Sequence, residues 1–157
     1  LDNGRVRVSA KVDYAVRAAV ELGRSEDGTR RKCEAIAAAQ EVSPGFLENI
    51  LHELRSAGLV HSRRGGNGGY WLARPADEIS VADIFRAVEG PLATVGDARP
   101  EETSYPAGSA AMRELWIALR TSIRDVLEVV TVADLVAAEL PGAIVKLTED
   151  PEDWIGR

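Results

Sequence analysis

Apolar residues recur at steps of three and four along most of the chain, and the pattern breaks in one brief stretch around a glycine-rich run. Val12, Ala15, Val16, Ala19 and Leu22 share a face of a helix predicted over residues 8–23, with Ser9 as its cap and Gly23 as its stop. Lys11, Tyr14 and Arg17 lie largely off that face, as solvated residues or, for Lys11 and Tyr14, as phosphate contacts. Asp27-Gly28 marks a turn within 24–32, and a short alanine-rich helix follows over 33–41. Ser43 is suited to cap the next helix and Pro44 to its first position. Phe46, Leu47, Ile50, Leu51 and Leu54 are expected to form its buried stripe, and Ala57-Gly58 ends it. A short helix, a tight turn and an amphipathic second helix make a helix-turn-helix.

The break falls next. Residues 59–63 and 70–73 read as two strands around an Arg-Arg-Gly-Gly-Asn-Gly-Gly run. Asn67-Gly68 is the predicted turn, because both residues tolerate positive φ. A recognition helix followed by a basic, glycine-rich hairpin is the plan of a DNA-binding winged helix. The predicted fold is therefore mainly α with a small β-hairpin wing. Helical spacing resumes over 80–90, where Ser80 and Asp83 make a capping box, Gly90 is the stop, and Ile84, Phe85 and Val88 face the winged helix.

Residues 91–108 break the pattern. Prolines and glycines in a mostly polar run predict a long loop. Beyond it Met112, Leu115, Trp116, Leu119, Ile123, Val126, Leu127 and Val130 fall on one helical stripe, and Thr131 with Asp134 caps a shorter helix that ends before Pro141-Gly142. A stripe this apolar, with little nearby to cover it, implies a partner, and the same helix of a second copy is the simplest one. The division expected is a winged helix-turn-helix domain at 8–90, a flexible loop at 91–108, dimerisation helices at 109–140, and an acidic, mobile tail at 141–157 that holds Trp154.

Charge sharpens this division. The net charge of -6 looks wrong for a nucleic-acid binder, but residues 1–90 hold 13 Lys+Arg against 13 Asp+Glu and residues 91–157 hold 6 against 12. All of the excess acidity belongs to the second part, which leaves the first free to face phosphate. No apolar run approaches the roughly 18 residues of a membrane span, no leader segment is expected, and residues 1–4 read as a remnant or a trimmed start. A single cysteine excludes an intrachain disulfide and fits a reducing cytoplasm.

The candidate chemistry is that of recognition. Ser43, Gly45, Glu48, Asn49 and His52 make a short-chained face near the start of the second helix of the motif, where base edges are met. Glu accepts from cytosine N4 and Asn pairs with adenine; the plainer reading is a solvated helix face. Arg63, Arg64 and Asn67 sit at the thin wing tip, and arginines there suit a narrow minor groove. A phosphate-cradling loop fails, because the glycine run lacks a Gly-Lys-Ser/Thr ending and no helix follows it directly. No paired nucleophile and base suggests an enzyme.

The run Lys11-x-x-Tyr14-Ala15-Val16-Arg17-Ala18, then Phe46-Leu47-Glu48-x-Ile50-Leu51 and Ala57-Gly58-Leu59-Val60, resembles a known pattern. It continues through Arg64-Gly65-x-x-Gly68-Gly69-Tyr70, Arg74-Pro75, Asp83-Ile84-x-Arg86-Ala87-Val88-Glu89-Gly90, Trp116 and Ala133-Asp134-Leu135. The chain is thereby similar, over roughly residues 8–136, to the Rrf-two family of bacterial winged-helix transcription regulators, the IscR, NsrR and CymR type. The resemblance implies a homodimer with a long dimerisation helix that acts on promoters, as a repressor or an activator. It places Glu48 and Asn49 at base-reading positions, Arg64 in the minor groove, and Lys11 and Tyr14 near the backbone. The family usually has Gln where Asn49 stands, which implies an altered operator, and often Gly where Glu41 stands. Many members hold an iron–sulfur cluster on three cysteines after the Glu-Gly that corresponds to Glu89-Gly90. Here residues 91–108 contain neither cysteine nor histidine, so no cofactor is expected. His52 and His61 lie in the helix and the wing instead.

Cys33 follows Arg30-Arg31-Lys32 at a predicted helix start, where positive neighbours favour a thiolate. It reads as a possible redox thiol or as a small buried side chain. The sequence thus points to a cytoplasmic, homodimeric DNA-binding regulator without a cluster. A winged-helix protein-interaction adaptor, or a thiol sensor acting through Cys33, is the alternative. A small-molecule or protein effector is left open.

Overall fold

The computed structural model describes residues 8–26 and 28–155; residues 1–4 and Asp27 of the predicted turn lie outside the described residues. Helices α1 (Ala10–Gly23), α2 (Cys33–Gln40) and α3 (Pro44–Ser56) precede a hairpin of β1 (Val60–Arg63) and β2 (Gly69–Leu72). Then come α4 (Val81–Glu89), α5 (Ala111–Leu127), α6 (Val132–Ala137) and α7 (Gly142–Lys146). The mainly helical fold with one hairpin agrees with the sequence pattern.

Helix α1 is the central post. Ser9 caps it by accepting from the Val12 N–H at 3.2 Å. Ala15, Ala18 and Ala19 are buried and small, so α3, α4 and α6 all approach α1 closely. Gly23 serves that approach too. It ends α1, and a Cβ there would lie 3.0 Å from both Val132 Cγ1 and Val136 Cγ2 of α6.

Leu47, Ile50, Leu51 and Leu54 of α3 are buried as predicted. Phe46 is not: it is 40% exposed. It precedes Leu47 by one residue, a turn of about 100° off the buried stripe, and sets its ring edge-on to Tyr14 at 5.7 Å. Ser43 holds the N-cap position, but its side chain makes no capping hydrogen bond. Pro44 at the first helical position lacks an N–H, so one orphan donor is missing there in any case.

The wing turn differs from the Asn67-Gly68 reading. Positive φ falls at Gly65 (102°) and Gly69 (144°), and the Gly68 N–H donates to the Gly65 carbonyl at 2.9 Å. Gly68 is needed for space, since a Cβ there would lie 2.1 Å from the Arg63 carbonyl oxygen. The segment read as a turn over 24–32 ends as an extra strand residue. The Arg31 N–H donates to the Tyr70 carbonyl at 2.9 Å, and the Tyr70 N–H to the Arg31 carbonyl at 2.8 Å. Behind this bridge Glu21, only 7% exposed, receives Arg31 Nη2 at 2.8 Å and Gln40 Nε2 at 3.1 Å. Arg17, expected to be solvated, donates to the Gln40 carbonyl at 2.5 Å.

The capping box of α4 forms, with the Asp83 N–H donating to Ser80 Oγ and the Ser80 N–H to Asp83 Oδ2, each at 3.1 Å. Residues 91–108 run against α5 through two 3-10 turns, Pro100–Glu102 and Ala107–Ser109. Trp116 Nε1 donates to the Tyr105 hydroxyl at 3.0 Å, and Arg113 Nε to the Thr103 carbonyl at 2.9 Å. Thr131 and Asp134 cap α6, which returns to pack on α1. Backbone bonds from Val81 to Val130 and from Val132 to Ile79, both 2.9 Å, fasten that return. Val130, assigned to the partner-facing stripe, is therefore taken by its own chain at 6% exposure. The tail read as mobile winds into α7 and a 3-10 turn, where Trp154 Nε1 donates to the Thr148 carbonyl at 2.8 Å.

Glu41 ends α2 in the left-handed region, at φ 55°. A side chain there is strained by roughly 1–2 kcal/mol, partly offset in a glycine by its freer unfolded chain. Glu41→Gly is expected to raise stability by about 0.5–1 kcal/mol in urea unfolding; a loss of stability would show that the Glu41 side chain contributes more than its backbone costs.

Candidate nucleic-acid interface

The start of α3 presents Ser43, Gly45, Glu48, Asn49 and His52 to solvent together. Ser43, Glu48 and Asn49 have no side-chain hydrogen bond among the described residues, so their donors and acceptors are open to a ligand. Burial of the opposite face fixes the helix while leaving this one bare. His52 Nδ1 lies 3.2 Å from Arg55 Nη2, and Arg55 Nη1 donates to Ser62 Oγ of β1 at 3.0 Å. One guanidinium thus joins α3 to the wing.

At the wing tip Arg63 and Arg64 are exposed and carry no hydrogen bond or ion pair among the described residues. The tip is braced from outside the hairpin. Arg30 Nη1 donates to the Asn67 carbonyl at 2.9 Å while its guanidinium lies 5.1 Å over the Trp71 ring. Lys32 Nζ donates to the Gly65 carbonyl at 2.6 Å. Sequence reading missed Arg30, Lys32 and Arg55. The signal was present in the basic run before Cys33, which was weighed only for its effect on the thiol.

Lys11 and Tyr14 are otherwise engaged. Lys11 Nζ donates to the Val88 carbonyl and pairs with Glu53, both at 2.9 Å. Tyr14 lies between Phe46 and the Arg17 guanidinium, 5.0 Å from its ring. Cys33 is half-buried, and its Sγ donates to the Pro44 carbonyl at 3.6 Å. Burial first, then the charges of Glu34 and Glu48, push its thiol above the ordinary value. This direction runs against the thiolate reading of Cys33 and with the buried one.

Residues 8–138 match the family described as Rrf2, iron-dependent transcriptional regulator. The chain belongs to the Rrf2 family. It is 46% identical over 145 residues to a helix-turn-helix-type regulator, Rv1287, of Mycobacterium tuberculosis, covering 92% of this chain and 90% of that one. It is 35% identical over 130 residues to the transcriptional regulator CymR of Bacillus subtilis, covering 83% and 89%. The solved structure of CymR, the global cysteine regulator of B. subtilis, superposes with a TM-score of 0.70 at 34% identity, over 85% of this chain and 98% of that one. IscR of T. potens superposes at 0.65 and 31% identity, over 97% and 93%. The Rrf2 chain described here is thus a transcription regulator, and no enzyme. None of its described helices is long and apolar enough to cross a membrane.

The iron in the family's description has no matching donor set. One cysteine and two histidines occur in the whole chain, and none lies in residues 91–108. The described residues contain no group of three or more His, Cys, Asp or Glu able to hold a metal. A lone thiol that donates to a backbone carbonyl does not fit an iron–sulfur cluster.

Two predictions follow from this geometry. Arg30→Ala should weaken binding to promoter DNA by about 1 kcal/mol through loss of the brace on the tip, with helical melting unchanged; equal affinity by fluorescence anisotropy would show that the tip needs no brace. Alkylation of Cys33 by iodoacetamide should accelerate only above the pH at which an ordinary thiol ionises. A rate already saturated at neutral pH would contradict the raised thiol.

Proposed function

We propose that this Rrf2 regulator acts as a homodimer on a near-palindromic operator, as a repressor, and without an iron–sulfur cluster. The observation that carries the reading is the exposed face of α3, where Ser43, Glu48 and Asn49 make no side-chain hydrogen bond among the described residues, beside two unpaired arginines on a braced wing. Glu48 and Asn49 are the proposed base readers, with Ser43, Gly45 and His52 bordering them. Arg64, with Arg63, enters the flanking minor groove, and Asn67 lies at the tip between them and the phosphates. Lys11 and Tyr14 act on DNA through the orientation of α3: one ties α1 to α4 and Glu53, and the other supports Phe46.

The dimer rests on α5. None of its residues is buried, and Met112, Leu115 and Leu119 are exposed on one stripe. Trp116, Ile123, Val126 and Leu127 are half-buried at its margin. At 17 residues α5 is about 25 Å long, enough for two copies to pair along several turns. The acidic second part then lies away from phosphate, in keeping with the uneven charge of the chain. With no membrane-spanning helix described, a cytoplasmic setting fits the reading.

Gel shift with promoter DNA from the protein's own locus at moderate salt tests it. Arg64→Ala should weaken binding by roughly 1–3 kcal/mol. Glu48→Ala should relax sequence preference more than it lowers affinity. A binding-site selection on Glu48→Ala that returned the wild-type sequence would remove Glu48 from the base readers.

A further inference from the structure

Between α4, the loop after Gly90 and α5 lies a cavity of about 510 Å³ whose wall is unusually basic. Arg86 comes from α4, Arg99 from the loop, and Arg120 and Arg124 from α5, with Glu101 as the single acidic residue of the lining and Leu92 among its apolar ones. Three of the four arginines are held in place by carboxylates. Glu128 accepts from Arg86 and, at 3.1 Å, from Arg124 Nε, while Glu101 accepts from Arg120. One carboxylate thus serves two guanidiniums on one side of the cavity. Glu101 receives the hydrogen bond of Arg120 and the field of Arg99 on the other. Four guanidiniums against these two carboxylates and Glu102, which lies outside the lining and accepts the Arg99 N–H at 3.2 Å, leave the wall net positive. Asp83 does not remove this charge, because it lies 3.9 Å from Arg86 while capping α4 and pairing with Arg74 at 3.7 Å.

The geometry points to an effector site for a small organic anion bearing two or more carboxylate or phosphate groups. Guanidinium forks bind such oxygens in pairs, and preformed arginines lose little freedom in doing so. The volume is that of a metabolite site rather than of a macromolecular groove. Glu101 on the wall and Glu128 outside it both stay charged, since hydrogen bonds and neighbouring arginines hold them below the usual carboxylate range. They therefore keep the arginines aimed while the surplus charge selects the ligand. The site also has leverage. Its walls belong to α4, which packs on α1 and α3, and to α5, the proposed pairing helix. A ligand bridging Arg86 to Arg120 and Arg124 sets the angle between reading head and pairing helix, and so the spacing of two reading heads. This regulatory step rests on the proposed dimeric DNA-binding function; the ligand site itself does not.

Isothermal titration of the full chain with citrate and, separately, with inorganic pyrophosphate tests the site, with sodium chloride matched in ionic strength as the control. Saturable binding of at least one probe is expected, about tenfold weaker in both Arg99→Gln and Arg124→Gln, while both variants melt like the wild type without probe. The probe that binds tells carboxylate from phosphate chemistry. Binding of neither probe above the salt control, or equal binding by wild type and variants, would overturn the site. Operator affinity measured with and without the bound probe tests the leverage: a change absent from Arg99→Gln supports it, and no change in the wild type overturns it. Loss of operator binding altogether, with probe binding intact, would count against the proposed function and leave the anion site standing.

Discussion

The buried Glu21 carboxylate is the constraint on which the reading head depends. A charge removed from water must be paired and hydrogen-bonded, and its partners are consequently fixed in place. Here the partners are Arg31 at 2.8 Å, Gln40 at 3.1 Å and, more distantly, Arg24 at 3.6 Å. The Arg31 peptide in turn exchanges two hydrogen bonds with Tyr70 of β2. One carboxylate, through an ion pair and an amide hydrogen bond, therefore joins α1, the end of α2 and the wing. It also orders the extended run around it. Successive side chains of an extended segment point to opposite sides, so Arg31 turns inward to Glu21 while Arg30 and Lys32 reach the carbonyls of the wing tip. Three consecutive cations are sorted by backbone geometry into one structural residue and two braces.

Around that joint, packing decides what is presented. Alanines on α1 and Gly23 at its end let neighbouring helices close in, and the large side chains of α3 fill the core. The rest of α3 must then face outward. Its first turns carry short and polar groups with no partner among the described residues. The surface that remains is suited to the edges of a nucleic acid, with arginines beside it for the backbone or groove. The acidic half of the chain is folded elsewhere, along α5 and the return of α6 to α1.

Much of this was legible beforehand because it follows local rules. The Ser80–Asp83 and Thr131–Asp134 boxes, the α3 stripe from Leu47 to Leu54, and the existence of the wing come from spacing and capping chemistry. The features that were not legible depend on distant neighbours. Gly68 looks like a φ-positive turn residue, yet what demands glycine is the Arg63 carbonyl. Gly23 looks like a stop, and only the arrival of Val132 and Val136 shows why it has no side chain. Phe46 sits one residue from a buried stripe and falls on Tyr14 instead. Cys33 follows three cations in sequence, but in space burial and two carboxylates dominate. Val130 keeps the apolar period of α5 and is nevertheless captured by its own chain. The basic cavity draws its arginines from three separate segments and has no linear signature at all.

The central claim is that two copies of one braced head, α3 with its wing, read DNA together. Hydroxyl-radical footprinting of the wild-type protein on DNA from its own locus tests this most directly. The account predicts two protected segments about one helical turn apart, or a multiple of it, related by a dyad and flanked by minor-groove protection. A single protected segment without a symmetric mate, or no protection at moderate salt, would contradict it.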